Sequence, residues 1–522
     1  MSASPTQQSS WFHYGFLLFV AALLYLNLFA LPATPIFDPG ADHLLNLHNA
    51  ARMAGGQVIY RDFFQFTTPG TELVYWALFR LFGVRAFIPN AMLLVLGLSL
   101  TWLCVFISRR LLSGLTAYLP GLLFLLVAYL PRLDGTHHWY SMLAVMAATA
   151  LVIEERSPKL LACAAALCAV ASFFTQTRGL VALAGLALFL WWEHRKKKQS
   201  GRSLLGAEAL LAGIFCVVTL GLNAYFILAA GWQRFLWCTV TFVWKYYPTQ
   251  SPSNNLHAYL AFAPTISHWH SAPVLLEWIF VHLLPLVYLL FLLRYGRRSA
   301  QTPNQPWDRL MLVNTMGFFL FLGIAPAPDY WRLCGVALPA LIIFVWFLDS
   351  KGKLQSVLRP LLWVGAGFLL VGHAWRNQTR WRAYFDAPVG RVVFFAPQSY
   401  GRFEWLRVHT HPGQLFFDVR GEVYFLLGLR SPAEVQWLDD SDYARPEQVR
   451  NVIESLEEQQ VPMVIWTSQI DPGVRGLHPG DNLGPLREYL RTHYATTAVF
   501  EDSVRVLERN HGPAATPYRP PA

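Results

Sequence analysis

Charge is what this chain lacks. Only 14% of its 522 residues are Asp, Glu, Lys or Arg, while 54% are hydrophobic and 15% aromatic. Soluble domains carry about 25% charged residues, so a water-soluble globule of this size could not cover itself. Cysteine is scarce and unpatterned. Five of the six (Cys104, Cys163, Cys168, Cys216, Cys334) lie inside apolar runs and Cys238 has no evident partner, which excludes a disulfide framework or a zinc module. Phosphate-binding glycine loops and dinucleotide fingerprints are also absent. No internal repeat is visible, unlike the duplicated halves of many transporters. The net charge of +10 is broken into short clusters between apolar runs, the pattern of cytoplasmic loops, so nucleic acid is not an expected partner.

What the chain has instead is long apolar runs. About 20 such residues cross a bilayer as a helix. About eleven spans are expected, near 11–31, 86–107, 114–131, 138–154, 159–175, 179–193, 204–230, 273–293, 309–325, 331–349 and 358–375. The first lacks both a basic flank and a small-residue cleavage site, so a retained span is expected. Alternate loops hold the basic clusters "SRR" (108–110), "EERSPK" (154–159), "HRKKKQSGR" (194–202), "RYGRR" (294–298) and "KGK" (351–353). By the positive-inside rule the N-terminus is then cytoplasmic, and an odd span count puts the C-terminal region outside.

The chain therefore divides into a transmembrane domain (1–375) with a long first outer loop at about 32–85, an extracytoplasmic α/β domain (376–510), and a Pro-rich, disordered tail (511–522). In the outer domain, 391–397, 414–419 and 461–468 read as buried strands. The stretch 445–460 is an amphipathic helix with Pro446 near its start, "LGPLREYLRTHY" another, and "ATTAVFEDSVRVLER" a closing hairpin.

Polar residues gather on the outer side. In "ADHLLNLHNAARM" (41–53), Asp42, Asn46 and Asn49 fall at i, i+4 and i+7, opposite Leu44, Leu47 and Ala51. That pattern predicts an amphipathic helix lying along the membrane surface. Next come Tyr60, Arg61 and Asp62 in "GGQVIYRDFFQFTTPG". From the residues alone, Asp42 is either a solvated surface acid or a functional one, and Asp62 either pairs with Arg61 or binds a ligand. The "PRLDGTHHWY" segment brings Asp134, His137 and His138 to an outer helix end. Adjacent histidines diverge on a helix, so both would not hold one metal. Arg132, Arg178 in "FFTQTRGL" and Arg332 in "APDYWRLCGVALP" are outer-facing cations. Each either anchors a helix end or binds phosphate. The aromatic loop 232–272 either covers a lipid-linked ligand or is part of the aromatic belt found at every membrane surface.

The ordered set Asp42, Ala50-Ala51-Arg52, Gly56, Tyr60-Arg61-Asp62-Phe63-Phe64 and Pro69-Gly70 resembles the first outer loop of the GT-C glycosyltransferases, in particular the dolichyl-phosphate-mannose-protein mannosyltransferase-like group. The motif covers about 30 residues, the many-span architecture the rest of the chain. His43 departs from the pattern, where the family often has Glu. The resemblance implies an inverting enzyme that transfers a hexosyl or pentosyl group from a polyprenyl-phosphate sugar to a hydroxyl outside the cytoplasm. The acceptor would be a glycan, lipid or protein. Asp42 would be the general base. Tyr60, Arg61, Asp62, Asn46, Asp134 and His138 would contact substrate, and Arg332 first, then Arg178, would hold the lipid phosphate. The resemblance fixes no cofactor, and a divalent metal is compatible with it. The competing reading is a transporter or flippase of lipid-linked saccharides, which calls for charges within the spans. Those are few: Glu208, Glu277 and His282.

Overall fold

The computed structural model describes residues 10–198, 200–249, 254–260, 263–264, 272–349, 353–472 and 480–510. The expected tail, and parts of the 232–272 loop, lie outside them. The helices in chain order begin with α1 (Ser10–Leu28), α2 (His43–Ala54), α3 (Gly70–Phe82), α4 (Phe87–Ser108) and α5 (Gly114–Arg132). They continue with α6 (His137–Val152), α7 (Pro158–Phe174), α8 (Gln176–Lys196), α9 (Gly201–Ala230), α10 (Ala272–Leu283), α11 (Leu286–Arg298) and α12 (Trp307–Ile324). After α13 (Tyr330–Cys334), α14 (Ala337–Leu348) and α15 (Lys353–Thr379), the last four are α16 (Pro397–His409), α17 (Tyr424–Leu427), α18 (Pro446–Glu458) and α19 (Gly484–His493).

Every expected span falls on helix. Six helices are long and apolar enough to cross a membrane among the described residues, or seven if α10 and α11 form one span bent by 47°. Pro285 begins the second half of that bend and accounts for it by removing a backbone donor. Two expected spans, at α7 and α14, are shorter apolar helices. The chain is a polytopic α-helical membrane protein with a small C-terminal α/β region.

By internal contacts the chain forms two compact units. One comprises residues 1–28, 92–224 and 255–378; the other comprises 29–91, 225–254 and 379–522. In the first unit, α7 and α8 approach backbone to backbone. A Cβ at Gly179 would lie 1.9 Å from the Cys168 carbonyl oxygen and 2.5 Å from the Ser172 nitrogen. Small residues permit such contacts where no water drives helices together. Gly179→Ala should therefore destabilise the protein by about 1–3 kcal/mol or more. A melting temperature in detergent equal to the wild type's would show that the helices simply part.

The second unit contains the expected α/β elements. A four-stranded sheet has the order β5-β6-β8-β7, with β5 (Phe417–Asp418) parallel to β6 (Met463–Thr467) and β7 (Tyr494–Phe500) antiparallel to β8 (Val504–Arg509). Val449, Val452 and Leu456 from α18 and Leu486 and Leu490 from α19 bury their stripes in its core, with Val464, Trp466 and Leu507 of the sheet. Asp418 ends β5 and accepts the backbone N–H groups of Arg420, Glu422 and Val423 at 2.9, 2.7 and 3.1 Å. A second hairpin, β3 (Ala383–Ala387) and β4 (Gly390–Phe394), is extended by the first loop, where Phe37 donates to the Val393 carbonyl at 2.9 Å.

Candidate functional site

Within the second unit, Asp42 stands at the start of α2. It is solvent-exposed and its carboxylate makes no capping bond to the helix. The helix behind it is buried on both faces, which corrects the expected surface helix. Leu44, Leu47 and Ala50 meet apolar neighbours, but Asn46, His48 and Asn49 are equally buried, at 6%, 3% and 2% exposure. His48 stacks on Tyr424, with 4.2 Å between ring centres. Asn49 Nδ2 donates to Glu72 Oε1 at 3.4 Å, and Asn49 Oδ1 accepts from Gln436 Nε2. The polar stripe is covered by protein, where hydrogen bonds replace water.

Tyr60, Arg61 and Asp62 build the loop that follows. Tyr60 is fully buried with φ +69°, and its hydroxyl donates to the Thr67 carbonyl at 2.6 Å. A bulky residue holds that backbone only where its surroundings fix it. Here the ring packs edge-on against Phe226 and Phe235. Arg61 Nε and Nη2 donate to the two Asp62 oxygens, each at 2.8 Å, and Asp62 Oδ2 also accepts the Val58 N–H at 2.7 Å. The Arg61 bonds hold the Asp62 carboxyl below its usual range. Arg52 donates to the Ala433 carbonyl at 3.1 Å, and its guanidinium lies over Phe63 at 4.5 Å. These side chains have structural partners. Asp42 is exposed, as is Asp38 four residues before it.

Sequence reasoning missed Glu72. It is fully buried in the first turn of α3, where Gln65 Nε2 donates to Oε1 at 2.5 Å and Oε2 has no partner. Burial pushes its carboxyl up to about 7, against the opposing hydrogen bonds of Gln65 and Asn49. A lone acid opening the apolar run "GTELVYWALF" was the available signal.

The first unit gathers a separate basic cluster. Arg178 is 1% exposed. Its Nη1 donates to the His138 carbonyl at 2.6 Å and to Ser141 Oγ at 3.1 Å, and its Nη2 lies 3.0 Å from His138 Nδ1. With guanidinium as the donor, the His138 ring is assigned the tautomer that carries its proton on Nε2. A Cβ at Gly335 would lie 2.9 Å from Arg178 Nη2, so glycine there makes the room. Arg132 and Arg332 lie within electrostatic reach of Arg178. Arg332 Nη1 is 3.3 Å from Asp329 Oδ2 and donates to the Ala327 carbonyl at 3.0 Å. Arg178 pairs with no carboxylate among the described residues. Asp134 is half-buried two residues beyond Arg132, its N–H donating to the Arg132 carbonyl at 2.9 Å. His137 and His138 have ring centres 4.1 Å apart. Among the described residues no group of three His, Cys, Asp or Glu side chains is placed to hold a metal ion.

No protein-family model matches the chain, and no curated protein matches its sequence. Solved structures do match. The crystal structure of ArnT from Cupriavidus metallidurans bound to undecaprenyl phosphate superposes with a TM-score of 0.60, covering 97% of this chain and 100% of that one at 13% identity. This chain has the GT-C fold. The apo form of the same ArnT gives 0.58 over 96% of this chain and 98% of that one, at 14% identity. The archaeal oligosaccharyltransferase AglB from Archaeoglobus fulgidus, in complex with an inhibitory peptide and a dolichol-phosphate, gives 0.53 over 94% and 73%, at 10% identity. The GT-C fold accounts for the chain nearly end to end.

Proposed function

We propose that this protein is an inverting membrane glycosyltransferase. It would take a sugar from a polyprenyl-phosphate donor and pass it to an acceptor hydroxyl on the extracytoplasmic side, where the expected N-in orientation would put the first loop and the C-terminal domain. The likeness to ArnT bound to undecaprenyl phosphate, over the full length of both chains, is the observation that carries this reading. The residues supply fitting chemistry. Asp42 is an exposed carboxylate at the start of α2, able to accept the proton of a hydroxyl as it attacks the anomeric carbon. The hydroxyl oxygen forms the new glycosidic bond, the bond to the lipid phosphate breaks, and the phosphate leaves with the electron pair. In the other unit, Arg178, with Arg132 and Arg332 near it, is a basic cluster whose chemistry suits a lipid phosphate. Asn46, one helical turn from Asp42 but covered by protein, would act through the helix, while Asp134 and His138 would serve beside the basic cluster of their own unit. Tyr60, Arg61 and Asp62 would act by shaping the loop.

Purified protein incubated with radiolabelled polyprenyl-phosphate sugars and crude envelope acceptors should form a labelled product and release polyprenyl phosphate. Product made from a nucleotide sugar alone would overturn the donor assignment. Movement of the lipid-linked sugar across vesicles without product would establish the flippase instead.

A further inference from the structure

The Glu72 network lies behind the exposed acid and has an imbalance. Asn49 of α2 is held on one side by Glu72 Oε1 and on the other by Gln436 Nε2. Two buried acceptor atoms of the same network, Glu72 Oε2 and Gln436 Oε1, have no donor. An ionised carboxylate there leaves both lone pairs unmet, which is expensive in a dry site. A proton on Oε2 turns one of these acceptors into a donor.

The surrounding groups give the carboxylate no counter-charge. On α2, His48 is buried and its imidazole is held well below its ordinary value by burial. Arg52 is engaged with Gln57, Ala433 and Phe63. Tyr60 in the loop is a neutral phenol within electrostatic reach of both Glu72 and Cys238. Tyr424 of α17 accepts the Asp418 backbone N–H on its hydroxyl oxygen at 2.8 Å. Around Gln436, Glu434 pairs with Arg234 at 2.9 Å and Asp439 lies 3.6 Å from Arg420.

We propose that Glu72 is a positioning residue for Asp42: in its neutral form it clamps Asn49 between α3 and the 433–440 segment and so fixes the helix that begins at Asp42. The inference rests on Asp42 being the base. Proton abstraction is steep in distance, and a displacement of about 1 Å changes rates by about 100-fold. A buried carboxyl raised in this way stabilises the folded loop while it is protonated. That contribution is lost as pH climbs from the ordinary carboxylate range through about 7.

The test uses the full chain in nanodiscs, comparing wild type, Glu72→Gln and Glu72→Ala between pH 6 and 8.5. Two readouts are followed: transfer kinetics, and hydrogen exchange in residues 43–54 corrected for intrinsic exchange. In the wild type, kcat should fall about tenfold as pH rises through 7 while donor KM holds, and exchange in α2 should rise together with that fall. Glutamine keeps a donor in place of the neutral acid, so it should preserve the low-pH rate and flatten the alkaline fall. Alanine should be slow and exchange-labile at every pH. A Gln variant that still follows the wild-type pH profile, or an Ala variant with unchanged α2 exchange, overturns the proposal. Exchange that tracks Glu72 in a protein transferring no sugar would uphold the clamp and reject the transferase reading.

Discussion

Asp42→Asn is expected to lower kcat for sugar transfer by about 10²- to 10⁴-fold while donor KM stays within a few-fold. Asparagine keeps the size and a hydrogen-bond acceptor but cannot take a proton at neutral pH, so it removes the base and little else. The fold should tolerate the change, because the native carboxylate does not cap α2 and is exposed. A melting temperature matching the wild type's would confirm this. Product formation within threefold of wild type would remove Asp42 from the chemistry.

Replacing Arg178 by Lys is expected to raise donor KM by about 10- to 100-fold, from the loss of one or two charge-assisted hydrogen bonds. The guanidinium serves several partners at once: the His138 carbonyl, Ser141 Oγ and His138 Nδ1. An ammonium on a flexible stem cannot span all of them, so His138 would lose its fixed orientation along with the cation's reach. On the proposed reading, a lipid phosphate is the anion that answers this buried cation. Arg332→Lys should have a smaller effect, since Asp329 already neutralises Arg332. The measurement is titration with polyprenyl phosphate, which needs no turnover. Equal affinity for wild type and Arg178→Lys would reduce Arg178 to a helix-packing residue.

Much of this protein was legible in its sequence because the signals were local. Apolar runs of helical length became helices, and the buried run in 461–468 and the 495–509 hairpin became strands β6, β7 and β8. The "YRDFF" motif was visible but its role was not. Spacing does not say whether Tyr60 faces a ligand or hides its hydroxyl on Thr67, nor whether Asp62 awaits a sugar or is already held by Arg61 and Val58. Asn46 and Asn49 illustrate the same limit from the other side. A polar stripe on a helix looks alike in sequence whether it meets water or a buried network. What decides is Gln436, 387 positions beyond Asn49, and no local pattern connects the two. Glu72 passed unnoticed for a related reason, since a single acid opening an apolar helix resembles an ordinary first-turn residue.

The C-terminal compact unit is stitched from three stretches, 29–91, 225–254 and 379–522. This has a consequence for synthesis at the ribosome. The early loop emerges with Asn49 and Glu72 still waiting for a partner that is translated 387 residues after Asn49. A nascent chain released early would carry Asp42 on an unfinished platform. A chimera joined at residue 378 would likewise inherit a foreign cap over a native loop, so an exchange of C-terminal domains has to move all three stretches together.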